Sequence, residues 1–327
     1  MPLGSRSDLE HGGVLEGGRV AFEAYGDPAC PAVAVLGGIS VGRHLAASDV
    51  DPTPGWWEPF VGPGRAVDTR AFRAIGIDFL GGAGASSGPE DVRVPNRGRA
   101  SVGTADQARA LRSVLDYLEI DRLHAVVGSS YGGMVGLAFA ALCPDQVDRL
   151  VLISAPHRSH PMATALRSVQ RKIVRIGLAT GATEEALSVA RGLAMTTYRT
   201  SREFAQRFET RPVPGNGSLR FPVDDYLDSR GATFAGAFGA TAFLGLSESL
   251  DLHDVRPGDV ITPATVVSVR SDTLVPPWQL RELSNALAGP SELVEIDSIY
   301  GHDAFLKEVD ALSAVVERAL GSGEVAS

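Results

Sequence analysis

The fold of this chain is decided by residues 126–138, which read VVGSSYGGMVGLA. The apolar run 123–127 predicts a buried strand, and the run 134–142 predicts an alanine-rich helix. Between them, residues 128–132 form a G-x-S-x-G turn. A strand, a sharp turn and a helix in this order are typical of a nucleophile elbow, in which only small neighbours fit beside the apex. The pattern makes Ser130 the candidate nucleophile. A bare G-x-S-x-G turn also occurs as an ordinary Gly-rich connection, so the assignment depends on partners elsewhere in the chain.

Apolar runs on both sides of the elbow predict further buried strands joined by helices. We expect strands at 20–25, 31–36, 72–78, 150–154, 264–269 and 293–296, and helices at 104–118 and from about 300 to 320. This alternation of strand and helix predicts an α/β fold with a mostly parallel sheet covered on both faces.

The alternation stops between residues 161 and 252, where the sequence is mainly helical in character. We interpret this segment as a helical lid inserted into a core made of residues 1–160 and 253–327. Lids exclude water from a reaction and supply substrate contacts. Five basic residues are interspersed in the lid, and we expect most of them to be solvated on helix faces. They are Arg167, Arg171, Lys172, Arg175 and Arg191.

Two polar residues that follow later strands are the candidate partners of Ser130. Asp272 lies just past the strand 264–269, and His302 lies in the loop after the last strand. Ligand chemistry in such sheets gathers at the carboxyl ends of strands, and Ser, Asp, His is the chain order of the α/β-hydrolase catalytic triad. His302 would accept the Ser130 proton, and Asp272 would hold the imidazole in the productive tautomer. Each alone reads as an ordinary loop or turn residue, but their type, order and context together favour the triad.

The loop 37–42, GGISVG, follows the second strand and can bring backbone N–H groups close to a ligand oxygen. We therefore predict an oxyanion hole formed by the backbone N–H groups of Ile39 and of Tyr131, the residue after the nucleophile. Judged without the triad, the same loop reads as a flexible turn.

Composition excludes several other classes of protein. The chain has 327 residues, of which 44% are hydrophobic, and a net charge of -9, so neither nucleic acid nor an anionic membrane surface is expected as a partner. Its two cysteines are too few for a disulfide framework or a metal cluster and fit a reducing compartment. Neither a signal sequence nor an apolar run of membrane-spanning length is recognised, so we expect a cytoplasmic protein. The glycines at 81–84 lack the Lys-Ser/Thr of a phosphate-binding loop.

Further motifs give the chain a specific resemblance to the homoserine O-acyltransferase family of α/β-hydrolase-fold enzymes. They lie at residues 55–58, 62–64, 68–69, 129–134, 169–171, 225–227, 271–277 and 301–306, and so span most of the chain. The resemblance implies ping-pong acyl transfer from an acyl-CoA to the side-chain hydroxyl of L-homoserine, through an acyl-Ser130 intermediate, in methionine biosynthesis. It implies a homodimer, no permanently bound cofactor and no metal, with acyl-CoA as co-substrate.

The resemblance also assigns substrate contacts. Arg191 matches the residue that pairs with the amino-acid carboxylate, a task suited to the bidentate guanidinium. Asp303 matches the residue that holds the α-ammonium, and Tyr198 matches a further contact position. Many succinyl-transferring members carry a basic residue two positions after the triad acid, whereas this chain has Leu274 there, which favours an acetyl donor. Arg43 and Arg158 are other basic residues considered for a succinyl carboxylate.

The chain departs from the family pattern in the first loop, where residues 37–39 replace the more usual His-Ala-Leu, and in a shortened lid. These departures bear on donor and acceptor more than on reaction type. The alternatives are a serine O-acyltransferase, an esterase that uses the same triad, and a catalytically silent binding protein of this fold.

Overall fold

A computed structural model describes residues 1–4, 6–93, 101–214 and 219–321. The strands are β1 (Arg6–Asp8), β2 (Val14–Glu16), β3 (Phe22–Tyr25), β4 (Ala32–Leu36), β5 (Val61–Gly62), β6 (Val67–Asp68), β7 (Arg73–Ile77), β8 (Val92–Arg93), β9 (Ala125–Ser129), β10 (Leu150–Ile153), β11 (Val213–Pro214), β12 (Leu219–Arg220), β13 (Ala264–Val269) and β14 (Ser291–Ile296). The helices are α1 (Thr104–Tyr117), α2 (Tyr131–Leu142), α3 (Pro161–Thr180), α4 (Thr183–Tyr198), α5 (Ser201–Arg207), α6 (Pro222–Ala237), α7 (Ala240–Leu252), α8 (Pro277–Ala286) and α9 (Val309–Leu320).

Seven strands form the central sheet, in the spatial order β14-β13-β10-β9-β4-β7-β3. All neighbours pair in parallel except the edge strand β3, which is antiparallel to β7. The elbow strand β9 lies in the middle, and its five residues are all buried, as expected for a strand covered on both faces. The predicted α/β-hydrolase fold with a mostly parallel sheet is confirmed.

Side chains alternate between two cores, one on each face of the sheet. On β9, Val126 packs into the core that contains α1 and α2, whereas Ala125 and Val127 pack into the core that contains α9 and Trp57. The elbow is therefore supported from both faces.

The prediction of a last helix from about 300 to 320 was wrong for its first residues. Residues Gly301–Leu306 form a 3₁₀ helix, and α9 begins only at Val309. Gly301 has φ of 58°, which glycine adopts easily and which bends the chain sharply before His302. His302 therefore lies in this short 3₁₀ helix, close to the carboxyl end of β14, and not in α9.

Helices α3 to α7 and the small hairpin β11–β12 lie between β10 and β13 in the chain, and we call this segment the helical insertion. The two chain segments at its base are joined, because Arg158 and Asp254 form an antiparallel bridge and the Val255 N–H donates to the His157 carbonyl at 2.9 Å. The division into a lid at 161–252 and a core of 1–160 and 253–327 stays a proposal. Within the part of the chain that the structure describes, no helix is long and apolar enough to cross a bilayer.

Two of the five basic residues expected to be solvated, Arg167 and Arg171, are instead buried. Both side chains pair with Asp251 of α7, so the packing of α3 on α7 removes them from water. The expectation followed the usual burial preference of arginine, which a buried carboxylate partner overrides.

We expect Gly132→Ala to destabilise the protein by about 3 kcal/mol, because the elbow has no room for a side chain. A Cβ at residue 132 would lie 2.2 Å from the Leu36 carbonyl oxygen, a backbone atom held in the sheet. Urea unfolding measures the difference. Gly245→Ala in α7 is the matched control, since a Cβ there meets nothing within 4 Å. Equal stabilities for the two variants would contradict the tight elbow.

Candidate active site

Ser130 sits at the apex of a strained turn between β9 and α2. Its φ and ψ are 51° and -119°, a conformation that non-glycine residues rarely adopt. The turn is fixed by two backbone hydrogen bonds, from Ser130 N–H to the Ile153 carbonyl at 2.9 Å and from Gly132 N–H to the Gly37 carbonyl at 2.8 Å. These bonds hold the strained residue, and with it the serine hydroxyl, at the carboxyl edge of the sheet, where the nucleophile elbow was predicted.

The structure brings Ser130, Asp272 and His302 together in one hydrogen-bonded line. His302 Nε2 lies 2.8 Å from Ser130 Oγ, and His302 Nδ1 lies 2.7 Å from Asp272 Oδ2. The other carboxylate oxygen, Oδ1, accepts hydrogen bonds from the N–H groups of Leu274 and Val275, each at 2.9 Å. With an ionised Asp272 on Nδ1, that nitrogen carries the proton and Nε2 is free to accept one from Ser130.

The pKa of His302 is raised above the ordinary histidine value by opposing influences. Burial of the ring favours the neutral form and lowers its pKa, whereas the charge and hydrogen bond of Asp272 raise it. The nearby Asp303 carboxylate raises the pKa further, and the Arg167 guanidinium lowers it. The pKa of His302 therefore depends on the charges of Asp272, Asp303 and Arg167 as well as on burial.

Activity should fall as pH is lowered through this raised pKa, because only neutral His302 accepts the Ser130 proton. Asp303→Asn removes one of the charges that raise the His302 pKa, so the acidic limb of the kcat/KM profile should move to lower pH. Hydrolysis of the neutral ester p-nitrophenyl acetate measures the pH dependence of kcat/KM without an amino-acid acceptor. Asp297→Asn, at an exposed carboxylate, is the control. An acidic limb that stays in place or moves to higher pH would contradict this account of the charges.

A cavity of about 110 Å³ opens above Ser130 and His302. It is walled by the loop after β4, by α3 and α4 of the insertion, and by the segments that follow β13 and β14. Seven of the residues singled out from the sequence line it: Ile39, Ser130, Arg191, Tyr198, Leu274, His302 and Asp303. Asp272 lies behind His302 rather than in the wall.

The oxyanion hole at Ile39 and Tyr131 stays a prediction. The Tyr131 side chain is fully buried and its hydroxyl lies 2.7 Å from Ser249 Oγ, so only its backbone is available at the nucleophile. The loop that carries Ile39 is held by Trp56 Nε1, which donates to the Gly42 carbonyl at 3.0 Å, and by Asp78, which accepts from the Arg43 N–H at 2.8 Å. Sequence analysis missed these two supports, for which no local motif exists.

Arg191 and Tyr198 lie at one end of the cavity. The Arg191 Cζ atom is 5.4 Å from the centre of the Tyr198 ring and 4.8 Å from that of Phe234. The Tyr198 ring lies 6.0 Å from the His302 ring. Among the ion pairs of the described residues none involves Arg191, so this guanidinium rests on aromatic faces without a carboxylate.

Asp303 has a partner that sequence analysis missed. Its Oδ2 accepts from Arg199 Nε at 2.7 Å, and Arg199 Nη1 donates to Glu203 Oε1 at 2.9 Å. Arg199 is 9% exposed, so this chain of charges is shielded from solvent. Arg199 lies between α4 and α5 and Glu203 lies in α5, so no helical spacing signals the second contact, and nothing local signals the first.

Neither basic residue considered for a succinyl carboxylate lies in the cavity wall. Arg43 is paired with Asp78 and Glu23, and it lines a neighbouring cavity. Arg158 is paired with Glu282 at 2.8 Å on the surface. The cavity contains Arg167 instead. Across residues 1–4, 6–93, 101–214 and 219–321, no cluster of three or more His, Cys, Asp and Glu side chains is arranged to hold a metal ion.

Comparisons with known proteins agree with the fold. Residues 45–309 match the family model described as alpha/beta hydrolase fold. The homoserine O-succinyltransferase of Xanthomonas campestris pv. campestris is 43% identical over 94% of this chain and 80% of that protein. The serine O-succinyltransferase of Litchfieldella anticariensis is 33% identical over 94% of each. The crystal structure of homoserine O-acetyltransferase from Bacillus anthracis has the same fold, with a TM-score of 0.87 at 19% identity over 98% of this chain and 96% of that one. The chain therefore belongs to the α/β-hydrolase fold family and, within it, to the homoserine O-acyltransferases.

Proposed function

We propose that this protein is a CoA-dependent O-acyltransferase that acylates the side-chain hydroxyl of L-homoserine by a ping-pong mechanism. The observation that carries the proposal is the aligned contact of Ser130, His302 and Asp272 at the wall of a cavity that also contains Arg191. The 43% identity to a homoserine O-succinyltransferase supports the acceptor.

Acylation begins when Ser130 Oγ attacks the thioester carbonyl carbon of the acyl-CoA and His302 Nε2 accepts the hydroxyl proton. The negative charge that forms on the carbonyl oxygen is stabilised by the backbone N–H groups of Ile39 and Tyr131. The C–S bond then breaks, the proton on His302 passes to the leaving sulfur, and CoA departs as its thiol. The product of this half-reaction is acyl-Ser130.

Deacylation runs the same steps with the acceptor. The homoserine hydroxyl gives its proton to His302 Nε2 and its oxygen attacks the acyl carbonyl carbon. Cleavage of the bond to Ser130 Oγ returns the proton to the serine and releases O-acylhomoserine. The acyl group has moved from sulfur to oxygen, and the enzyme is unchanged.

The acceptor is held by charges at the Arg191 end of the cavity. Arg191 binds its carboxylate, and Asp303, although paired with Arg199, keeps one oxygen for its α-ammonium. Tyr198, between Arg191 and His302, closes this side of the site. We place the reaction in methionine biosynthesis, in the cytoplasm, in a homodimeric enzyme with acyl-CoA as a diffusible co-substrate and no nucleic-acid or membrane partner.

Free-thiol release tests the function, with acetyl-CoA and succinyl-CoA each assayed with L-homoserine, L-serine or no acceptor. Thiol release that requires homoserine supports the proposal. Release that requires serine would assign the second candidate function, which the 33% identity to a serine O-succinyltransferase favours. Continuous turnover without an acceptor, beyond the single equivalent of the acylation burst, would assign an esterase, and no release from any donor would leave only a silent binding protein.

Arg191→Met should raise the KM for homoserine about 100-fold, because the acceptor carboxylate loses its charged partner. The burst of CoA release on mixing with acyl-CoA alone should stay unchanged. Arg175→Met, at an exposed arginine of α3, is the matched control and should leave the KM unaltered. A reduced burst with an unchanged KM would place Arg191 on the donor side instead.

A further inference from the structure

A second cation, Arg167, lines the cavity on the side formed by α3 and α7, and unlike Arg191 it is buried. Arg167 Nε donates to Asp251 Oδ1 at 2.8 Å, and Arg171 Nη1 donates to Asp251 Oδ2 at 2.6 Å. The side chains of Arg167, Arg171 and Asp251 are 11%, 10% and 9% exposed. This Arg–Asp–Arg cluster is therefore almost entirely shielded from water.

The Arg–Asp–Arg cluster carries one positive charge in excess, because two guanidiniums share one carboxylate. Among the described residues, Asp251 is the only carboxylate in an ion pair with either arginine. Burial without a counter-ion is costly for a charged group, so proteins pair buried charges or use them to bind ligands. The excess charge thus favours an anionic group beside the cluster.

The two arginines of the cluster differ in whether an N–H group remains available to a ligand in the cavity. Arg171 Nη1 also donates to the carbonyl and hydroxyl oxygens of Ser247, and Arg171 does not line the cavity. Arg167 lines the cavity, with Nε and Nη2 bonded to Asp251 and to Ser159 Oγ. No acceptor among the described residues contacts its Nη1. This nitrogen is available to a ligand in the cavity.

The reacting centre lies close to Arg167. Both line the same cavity, and the Arg167 charge lowers the pKa of the His302 ring against the stronger effect of Asp272. Arg191, the other cation of the wall, is already assigned to the acceptor carboxylate. Since an acetyl group and the homoserine side chain carry no negative charge, a second anion in the cavity belongs to the donor.

We propose that Arg167 binds a carboxylate at the far end of the transferred acyl group, so that the donor is a dicarboxylic acyl thioester of the succinyl-CoA type. The inference deepens, and rests on, the proposed acyltransferase function. It reverses the expectation drawn from Leu274, which lies in the same wall as an apolar contact for the acyl chain. The acyl-transfer steps and their protons are unchanged, because the carboxylate takes no part in them.

The test compares kcat/KM for succinyl-CoA and butyryl-CoA, in which a methyl group replaces the carboxylate. Wild type should favour succinyl-CoA about 100-fold, the size expected for a hydrogen-bonded charge pair. Arg167→Met should remove this preference by lowering kcat/KM for succinyl-CoA alone. Because both donors share the whole CoA moiety, a similar loss for both would assign Arg167 to a CoA phosphate and overturn the proposal.

Arg171→Met is the matched control, since it breaks a pair with the same Asp251 without changing the cavity wall. It should affect both donors alike. If Arg167→Met does not fold, Arg167→Gln, which keeps hydrogen bonds to Asp251 and Ser159, replaces it. A wild-type enzyme that uses butyryl-CoA or acetyl-CoA as well as succinyl-CoA overturns the inference without any variant.

Failure of the proposed function is detected separately with p-nitrophenyl esters. If no acceptor stimulates thiol release, the acyltransferase assignment fails. The Arg167 inference then depends on whether wild type hydrolyses mono-p-nitrophenyl succinate faster than p-nitrophenyl butyrate, and whether Arg167→Met removes that difference. Equal rates for the two esters in wild type would overturn it.

Discussion

Ser130→Ala should lower kcat for acyl transfer by about a millionfold, because among the described residues the Ser130 hydroxyl is the one aligned with His302 Nε2. The burst of CoA release on mixing with acyl-CoA should vanish together with turnover. Mass spectrometry of the intact protein measures the same event as the loss of the acyl adduct. The unfolding midpoint should change little, because the Ser130 hydroxyl faces the cavity and is not packed in the hydrophobic core.

The neighbouring residue supplies the control for Ser130. Ser129 is buried at the end of β9, and its Oγ atom has no hydrogen-bond partner among the described residues. Ser129→Ala removes the same atom one position away and should leave the burst and turnover near those of wild type. If Ser129→Ala abolished the burst while Ser130→Ala retained it, the elbow would have been assigned one residue out of place.

Asp272→Asn should lower kcat by about 10⁴-fold while leaving the fold intact. The two N–H groups of Leu274 and Val275 hold one oxygen of residue 272, so the amide NH₂ of asparagine would face His302 Nδ1. Nδ1 would then have to accept, and the ring proton would move to Nε2. A protonated Nε2 cannot take the Ser130 proton, which accounts for the loss.

Steady-state kinetics and urea unfolding on the same preparation of Asp272→Asn check this reasoning. Asp297→Asn changes an exposed carboxylate after β14 and should match wild type in both measurements. If kcat of Asp272→Asn fell by less than tenfold while its stability stayed unchanged, the tautomer of His302 would be set by another group.

The sheet and the triad were predictable because their signals are local. The strand β13 was predicted with its observed limits, since 264–269 is rich in β-branched residues and is bounded by Pro263 and by the turn residues that follow Val269. For β9 the prediction 123–127 began two residues early, because Leu123 is equally apolar but forms only an isolated bridge to Val147. Ser130, Asp272 and His302 were found because strand-end position and chain order are both read from sequence.

The polar contacts of the site were not predictable, because their partners are distant in sequence. Asp251 meets Arg167 and Arg171 only after α3 packs on α7, some 80 residues later in the chain. Arg199 reaches Asp303 across 104 positions. Neither pair leaves a periodic or motif-based trace, so most of the basic residues of the insertion were expected to be solvated, and Asp303 was assigned to the substrate ammonium without its Arg199 partner.

The joined base of the helical insertion bears on how such enzymes diversify. The insertion leaves the sheet after β10 and returns before β13, which are adjacent strands, and the bridge between Arg158 and Asp254 ties its two ends together. Everything between those residues is a cassette with closely spaced ends, of the kind that tolerates exchange between homologues. Exchange of this cassette would replace Arg167 and Arg191 together, whereas Asp303 would stay with the sheet. Ser130, Asp272 and His302, the proposed catalytic residues, also lie outside the exchanged segment.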